Sequence, residues 1–139
     1  MTLVIEKENK NKMKSSMKKL CDNILKINGI QFAGIIDPIG NLYAGGFKEG
    51  VTPKINDEQR RHIYLKFALE SCFRKDFDDV LGKFRFSITQ REKGSILTTN
   101  ICNHLLLVFT EIHIQDTDLM KKIQKTVKDN ELATFYTNH

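Results

Sequence analysis

The hydrophobic and polar positions along the chain follow two periods, one typical of helices and one typical of strands. Over residues 9–28, apolar residues recur every three or four positions and form one stripe: Met13, Met17, Leu20, Ile24 and Ile27. This spacing predicts an amphipathic helix whose opposite side carries lysines. Asn28 and Gly29 supply the residues at which such a helix stops.

A β-hairpin is predicted over residues 29–50, at the centre of a small domain with helices before and after it. Its first strand, residues 30–36, is apolar on both sides, with Ile30, Phe32 and Ile36 on one face and Ala33 and Ile35 on the other. Such a strand is typical of a sheet that helices cover on both faces. Residues 37–41 contain the Asp, Pro, Gly and Asn of a turn.

The middle helix is predicted to begin after Asn56, an N-cap residue with Gln59 three positions on, the spacing of a capping box. From residue 63 to 73 this helix has two apolar sectors. One contains Ile63, Tyr64 and Phe67, and the other contains Leu65, Ala68, Leu69, Cys72 and Phe73. Because one sheet covers only one sector, the second sector predicts contact with another surface, most simply a second copy of the chain. A third element of the same chain is the alternative.

Three further strands and a last helix complete the predicted order. Residues 83–89 alternate, with Phe84, Phe86 and Ile88 on one face. Residues 95–101 form the next strand, a turn at Asn103 and His104 follows, and the wholly apolar residues 105–109 predict a strand in the middle of the sheet. Asp116 is the predicted N-cap of a helix that continues to about residue 127.

Composition is compatible with one cytoplasmic domain over residues 9–129, preceded by a flexible segment 1–8 and followed by a loose tail 130–139. A chain of 139 residues, 40% of them hydrophobic, can build a core without metal or disulfide support. No apolar run reaches the ~20 residues that span a bilayer. Cys21, Cys72 and Cys102 form no C-x-x-C pair and are predicted to be small buried apolar residues, and the four scattered histidines predict no metal site.

Charge separates the first helix from the rest of the chain. Residues 1–28 hold seven lysines and three acidic residues, a net charge of +4, whereas the whole chain carries +5. Five of these lysines are candidates for binding an anion or nucleic acid: Lys10, Lys12, Lys14, Lys18 and Lys19. Most lysine-rich helix faces are simply solvated, and no aromatic residues alternate with these lysines to stack on bases.

The element order, together with the hairpin pattern Gly34-x-x-Asp37-x-x-Gly40-x-x-x-Ala44, resembles the roadblock (dynein light-chain type) family and its longin-like and profilin-like relatives. An archaeal branch of this family is one origin that the resemblance allows. It implies an α+β fold of three layers, α/β/α, in the chain order α-β-β-α-β-β-β-α. The five-stranded antiparallel sheet would have the order 2-1-5-4-3, with the first and last helices on one face and the middle helix on the other.

The resemblance also implies a function. Family members pair through the middle helix and the third strand and serve as non-catalytic platforms for small Ras-like GTPases or for motor and signalling assemblies. In this sequence the corresponding interface residues are Leu65, Leu69, Cys72, Phe73, Lys83, Arg85 and Ser87. A homodimeric adaptor that binds another protein is therefore the first functional hypothesis, with no cofactor and no insertion into a membrane.

Two other hypotheses remain. Anion or nucleic-acid binding through the first helix is the second, and a small-molecule sensor, which would require a cavity, is the third. An enzyme is not predicted: Asp76, Asp78 and Asp79 lie close together but lack a paired base or nucleophile, and solvated carboxylates account for them.

Overall fold

The computed structural model describes residues 2–111 and 115–130, the first five of them as helix backbone. The described residues form four helices and five strands: α1 (Thr2–Leu25), β1 (Ile30–Ile36), β2 (Leu42–Phe47), α2 (Asp57–Lys75), α3 (Asp78–Leu81), β3 (Phe86–Arg91), β4 (Gly94–Ile101), β5 (His104–Thr110) and α4 (Asp116–Asp129). The predicted loose tail lies outside the described residues except for Asn130, which ends α4. His113 and His139 also lie outside them.

The five strands of the described chain form one antiparallel sheet in the order β2-β1-β5-β4-β3, which confirms the predicted topology. β5 is central, as its wholly apolar run predicts. On one face, α1 and α4 enclose a core that includes Met17, Leu20, Ile35 and Leu106. On the other face, α2 packs on Phe32 and Leu107, so the three layers are also confirmed.

The β1–β2 turn is built by Asp37, whose carboxylate accepts hydrogen bonds from the amides of Ile39 (3.1 Å) and Asn41 (2.9 Å). Gly40 follows with φ +89°, and a Cβ at this position would lie 2.9 Å from the Cα of Leu65. Only glycine combines this backbone conformation with so close an approach. The turn therefore sits directly against α2.

Several boundaries differ from the prediction. α1 begins at Thr2, so residues 2–8 form its first two turns. An irregularity in the β1–β5 pairing between Ile30 and Phe32 shifts the alternation, and Ile30 packs with α1 rather than beside Phe32. The tight turn between β4 and β5 contains Cys102, with φ +53°, and Asn103, whereas His104 already belongs to β5.

Three predictions about single residues were wrong. Asp116 is the first residue of α4 and not its N-cap; its buried carboxylate accepts hydrogen bonds from Ser95 Oγ (2.8 Å) and Gln90 Nε2 (3.0 Å). Cys72 is exposed on the flank of α2 beside the β1–β2 turn, and Cys102 is half-buried, so of the three cysteines only Cys21 is fully buried as predicted. Lys83 and Arg85 precede β3 instead of belonging to it, since the strand begins at Phe86.

Candidate functional site

The inner face of α2 closes one side of the core. Tyr64, Phe67 and Ala68 are buried against Phe32 of β1 and Leu107 of β5. The helix starts where the capping box predicts, because the Asn56 side chain accepts from the Gln59 amide (2.8 Å) and the Gln59 side chain accepts from the Asn56 amide (2.9 Å). Burial raises the pKa of the Tyr64 hydroxyl, and Arg60 partly opposes this shift. This face serves the fold.

The outer face of α2 is apolar and uncovered by the described residues. Leu65, Leu69 and Phe73 follow one another at four-residue spacing and are 47%, 50% and 66% exposed. Cys72 is exposed beside them. We call Leu65, Leu69 and Phe73 the outer row. Of the second sector predicted for this helix, only Ala68 turns inward and is buried.

The apolar surface continues beyond the end of α2. Phe77 and two residues of α3, Val80 and Leu81, are 56%, 81% and 78% exposed. We call these three residues and the outer row together the apolar patch. The sequence analysis interprets Asp76, Asp78 and Asp79 as solvated carboxylates and does not consider the apolar residues between and after them, although three large apolar residues in a short acidic segment were the available signal.

A polar strip borders the outer row on α2. Lys66 Nζ lies 3.8 Å from Glu70 Oε1, and Arg74 Nη2 donates to Glu70 Oε2 over 3.3 Å. Exposed pairs of this kind contribute little to stability. The strip instead places both signs of charge next to an apolar surface, as at the rim of a protein interface.

The predicted residues of the third strand occupy a different place. β3 is an edge strand, because β4 is its one neighbour within the described sheet. Ser87 lies in β3, half-buried, and its hydroxyl is hydrogen-bonded to Thr98. Lys83 and Arg85 are exposed just before the strand, where the Arg85 carbonyl accepts from Thr99 Oγ1 (2.8 Å).

One stacking contact connects these two groups of residues. The guanidinium carbon of Arg74 lies 4.0 Å from the centre of the Phe84 ring, so the segment before β3 rests on the last turn of α2. Phe73, Lys83 and Arg85 are therefore at the same end of the molecule. Leu65 is two turns of helix further away.

A groove lies at the other end of α2. It has a volume of about 810 Å³ and separates the first half of the helix from the β3–β4 hairpin. Its floor contains the half-buried residues Phe47, Ile63, Ile96 and Phe109. The face of the sheet that carries α2 thus exposes apolar surface beside the helix as well as on it.

The five candidate lysines of α1 are all exposed, and they lie on two different sides of the helix. At 100° per residue, Lys10, Lys14 and Lys18 lie on one flank of the buried stripe, and Lys12 and Lys19 lie on the other. Lys14 Nζ is 5.4 Å from the Tyr43 ring of β2, whereas Lys19 borders a cleft with Asp129 of α4. The lysines do not form one continuous strip.

The groups with shifted pKa values do not provide activated nucleophiles. Burial, with a smaller effect of Asp22, raises the pKa of the Cys21 thiol to about 12, and burial also raises the pKa of Cys102. Both thiols are therefore protonated at neutral pH. Asp76 ends α2, and Asp78 and Asp79 occupy the first turn of α3. No helix in the described part of the chain is long and apolar enough to cross a membrane.

Comparison with known proteins gave one family and a set of similar structures. A model of DUF6659, a family of unknown function, matches residues 9–138. No curated protein sequence matched. The structures below share less than 25% identity with this chain and bear on its fold.

Three structures represent this similarity. MglB from Myxococcus xanthus is 16% identical over 90% of each chain, with a TM-score of 0.67. A structure described as MglB with a tetrameric arrangement is 17% identical, covering 80% of this chain and 82% of that one, with a TM-score of 0.63. The Roadblock/LC7 domain from Streptomyces avermitilis is 9% identical, covering 81% and 92%, with a TM-score of 0.60. The chain therefore has the roadblock fold.

Proposed function

Since this chain belongs to DUF6659, a family of unknown function, and has the roadblock fold, we propose that it is a non-catalytic homodimeric adaptor that binds a partner protein. The observation that carries the proposal is the apolar patch. Its six side chains together expose apolar area on the order of several hundred Å², which equals the largest patch of a typical monomer, and such patches are often functional. We further propose that the protein works in the cytoplasm.

A second copy of the chain is the occupant that best fits the patch. A stable interface buries about 800 Å² per partner, and in such an interface the patch would supply the apolar centre and the polar strip the rim. A two-fold interface must be self-complementary, and the polar strip of Lys66, Glu70 and Arg74 offers both signs of charge to its own image. The free edge of β3 offers backbone groups for pairing in the same assembly.

The partner class that we propose is a small Ras-like GTPase or another signalling component. This partner class is supported by the roadblock resemblance of the sequence and by the roadblock fold. Because a fold alone does not determine a function, the partner class is a proposal. Dimerisation through α2 leaves the exposed sides of α1 and α4 available for such a partner. The five lysines of α1 would then act as solvated charges that influence the rate of association.

Light scattering after size-exclusion chromatography tests the dimer. At high micromolar concentration we expect twice the 16.1 kDa mass of one chain for the wild type. Leu69→Glu places a charge in the middle of the outer row and should give a monomer, because a buried unpaired carboxylate is costly. Thr117→Glu adds the same charge at an exposed position of α4 and should stay dimeric. A monomeric wild type would refute the proposal.

Anion or nucleic-acid binding through α1 is the competing function. It requires binding to single-stranded or duplex nucleic acid at low salt, with an affinity that falls steeply as salt increases. Replacing Lys10, Lys14 and Lys18 by Gln together should abolish such binding if it exists. The separation of the lysines onto two flanks of α1 favours the adaptor instead.

A further inference from the structure

A cavity of about 420 Å³ opens where the last turn of α2, the segment before β3 and the β4–β5 turn meet. Polar and charged residues form part of its lining: Ser71, Arg74, Lys75, Asp78, Lys83, Asn100 and Asn103. Met13, Phe84 and Cys102 supply its apolar surface. Among the described residues that line it, three are cations and one, Asp78, is an acid. A volume of this size accommodates a small molecule.

Two contacts position Arg74 at the wall of this cavity. The Phe84 ring covers one face of its guanidinium group at 4.0 Å, and Glu70 accepts from Nη2. The other terminal nitrogen, Nη1, is enclosed by protein and has no hydrogen-bond partner among the described residues. Burial lowers the pKa of Arg74 and Glu70 opposes this shift, but an arginine remains charged. A buried donor without a partner is costly, and an acceptor that reached this nitrogen would offset that cost.

The C-terminal end of α2 repels an anion less strongly than a helix C-terminus usually does. Its last carbonyls repel negative charge. Here, however, the Asp76 amide donates to the Phe73 carbonyl, and the Phe77 amide donates to the Arg74 carbonyl. Lys75 and Lys83 add positive charge at the same place.

We propose that this cavity, which we call the basic pocket, binds an oxyanion: the phosphate or carboxylate group of a small molecule. The guanidinium group of Arg74 and the ammonium group of Lys83, which both line the cavity, can donate charge-assisted hydrogen bonds to such a group. Asn100 and Asn103 supply further amide donors. Phe84 contributes an apolar surface for the remainder of the ligand.

The basic pocket lies beside the surface proposed for dimerisation and shares Arg74 with the polar strip at its rim. Ser71, Arg74 and Lys75 lie on the side of α2 that faces the sheet, whereas the outer row lies on the opposite side. The inference therefore goes beyond the adaptor function and does not rest on it. An oxyanion bound in this pocket could regulate how the adaptor binds its partner.

Titration followed by ¹H–¹⁵N NMR tests the proposal, with pyrophosphate and citrate as probes and sodium chloride of equal ionic strength as the reference. We expect saturable shifts at the amides of Arg74, Phe84 and Asn103. Arg74→Met and Lys83→Met should each weaken binding about tenfold or more, because each removes a charged donor. Lys83 is exposed, so its variant is expected to fold even if Arg74→Met does not.

Arg61→Met is the matched control, since it removes one charge from an exposed position at the other end of α2 and should leave binding unchanged. Tighter binding of pyrophosphate points to a phosphate-bearing ligand, and tighter binding of citrate points to a carboxylate. The proposal is overturned if neither probe shifts these amides beyond the salt reference, or if Arg61→Met weakens binding as much as Lys83→Met. Leu69→Glu is expected to remove the dimer and does not change a residue of the basic pocket, so it should bind the probes as the wild type does, and the two proposals can fail independently.

Discussion

α1 and α2 are both rich in apolar residues, but the two helices differ in how many of these residues are buried. In α1 the apolar positions form one stripe, and Met17, Leu20, Cys21 and Ile24 are fully buried against the sheet. In α2 one apolar sector is buried, and the other leaves Leu65, Leu69 and Phe73 half or more exposed. Both helices pack on the same sheet, so the difference lies in the number of apolar faces each helix carries.

This comparison separates residues that build the fold from residues that are available for association. A single apolar stripe is satisfied once the helix lies on the sheet. A second stripe gains nothing from folding, so its apolar residues stabilise the protein only when another surface covers them. The exposed face of α2 is therefore an apolar surface that the folding of one chain leaves uncovered.

The largest expected effect is a difference in stability between Leu20→Ala and Leu69→Ala. Leu20 is fully buried, and replacing it should lower the free energy of unfolding by about 2–5 kcal/mol, because the change removes apolar contact and leaves a cavity. Leu69 is half exposed, and its replacement should cost less than about 1 kcal/mol in the dissociated chain. Urea unfolding at low and high protein concentration measures both.

The two variants should also differ in how their stability depends on concentration. Association stabilises the folded state by mass action, so the wild type and Leu20→Ala should gain stability as protein concentration rises. The stability of Leu69→Ala should increase much less with protein concentration. Equal losses of stability for the two variants at every concentration would mean that the inner and outer positions are not energetically distinct.

A smaller effect should appear at acid pH on the α1 side of the sheet. His104 begins β5, its ring lies 4.8 Å from that of Tyr43, and burial lowers its pKa below the usual 6.5, while Asp37 partly opposes the shift. Below pH 6.5 the unfolded chain therefore binds a proton that the folded chain does not. The resulting stability is complete above about pH 6.5 and is lost as the pH falls toward the lowered pKa.

Unfolding free energies between pH 7.5 and 5.5 check this prediction. His104→Gln should lose less stability on acidification than the wild type, since it removes the group that titrates. His62→Gln, at an exposed position of α2, should follow the wild type. If His104→Gln and the wild type have the same slope, the histidine does not control this pH dependence.

The sequence predicted the architecture well where a pattern extends over many residues. The stripe of α1, the wholly apolar run of β5 and the capping box at Asn56 each determine an element through local chemistry. The sheet order came instead from the resemblance of the whole element order to the roadblock family. The unusual second sector of α2 also identified in advance the helix on which the apolar patch lies.

Other features depend on contacts between distant parts of the chain. Ile30 changes sides because of an irregularity in strand pairing, which no periodicity within β1 reveals. Asp116 resembles an N-cap locally, but its carboxylate is bound by Ser95, 21 residues earlier. α3 has four residues, too few to show a helical period, so the helix that carries the exposed Val80 and Leu81 could not be predicted from pattern.

The most direct test of the central claim is an isotope-filtered NMR experiment on an equal mixture of ¹³C-labelled and unlabelled chains. It detects contacts between copies and assigns them to individual methyl groups. We predict intermolecular contacts at the methyl groups of Leu65 and Leu69, and none at those of Leu20 or Leu106, which are fully buried within one chain. Intermolecular contacts that bypass Leu65 and Leu69, or none at all at high micromolar concentration, would contradict the assignment of the outer face of α2 to association.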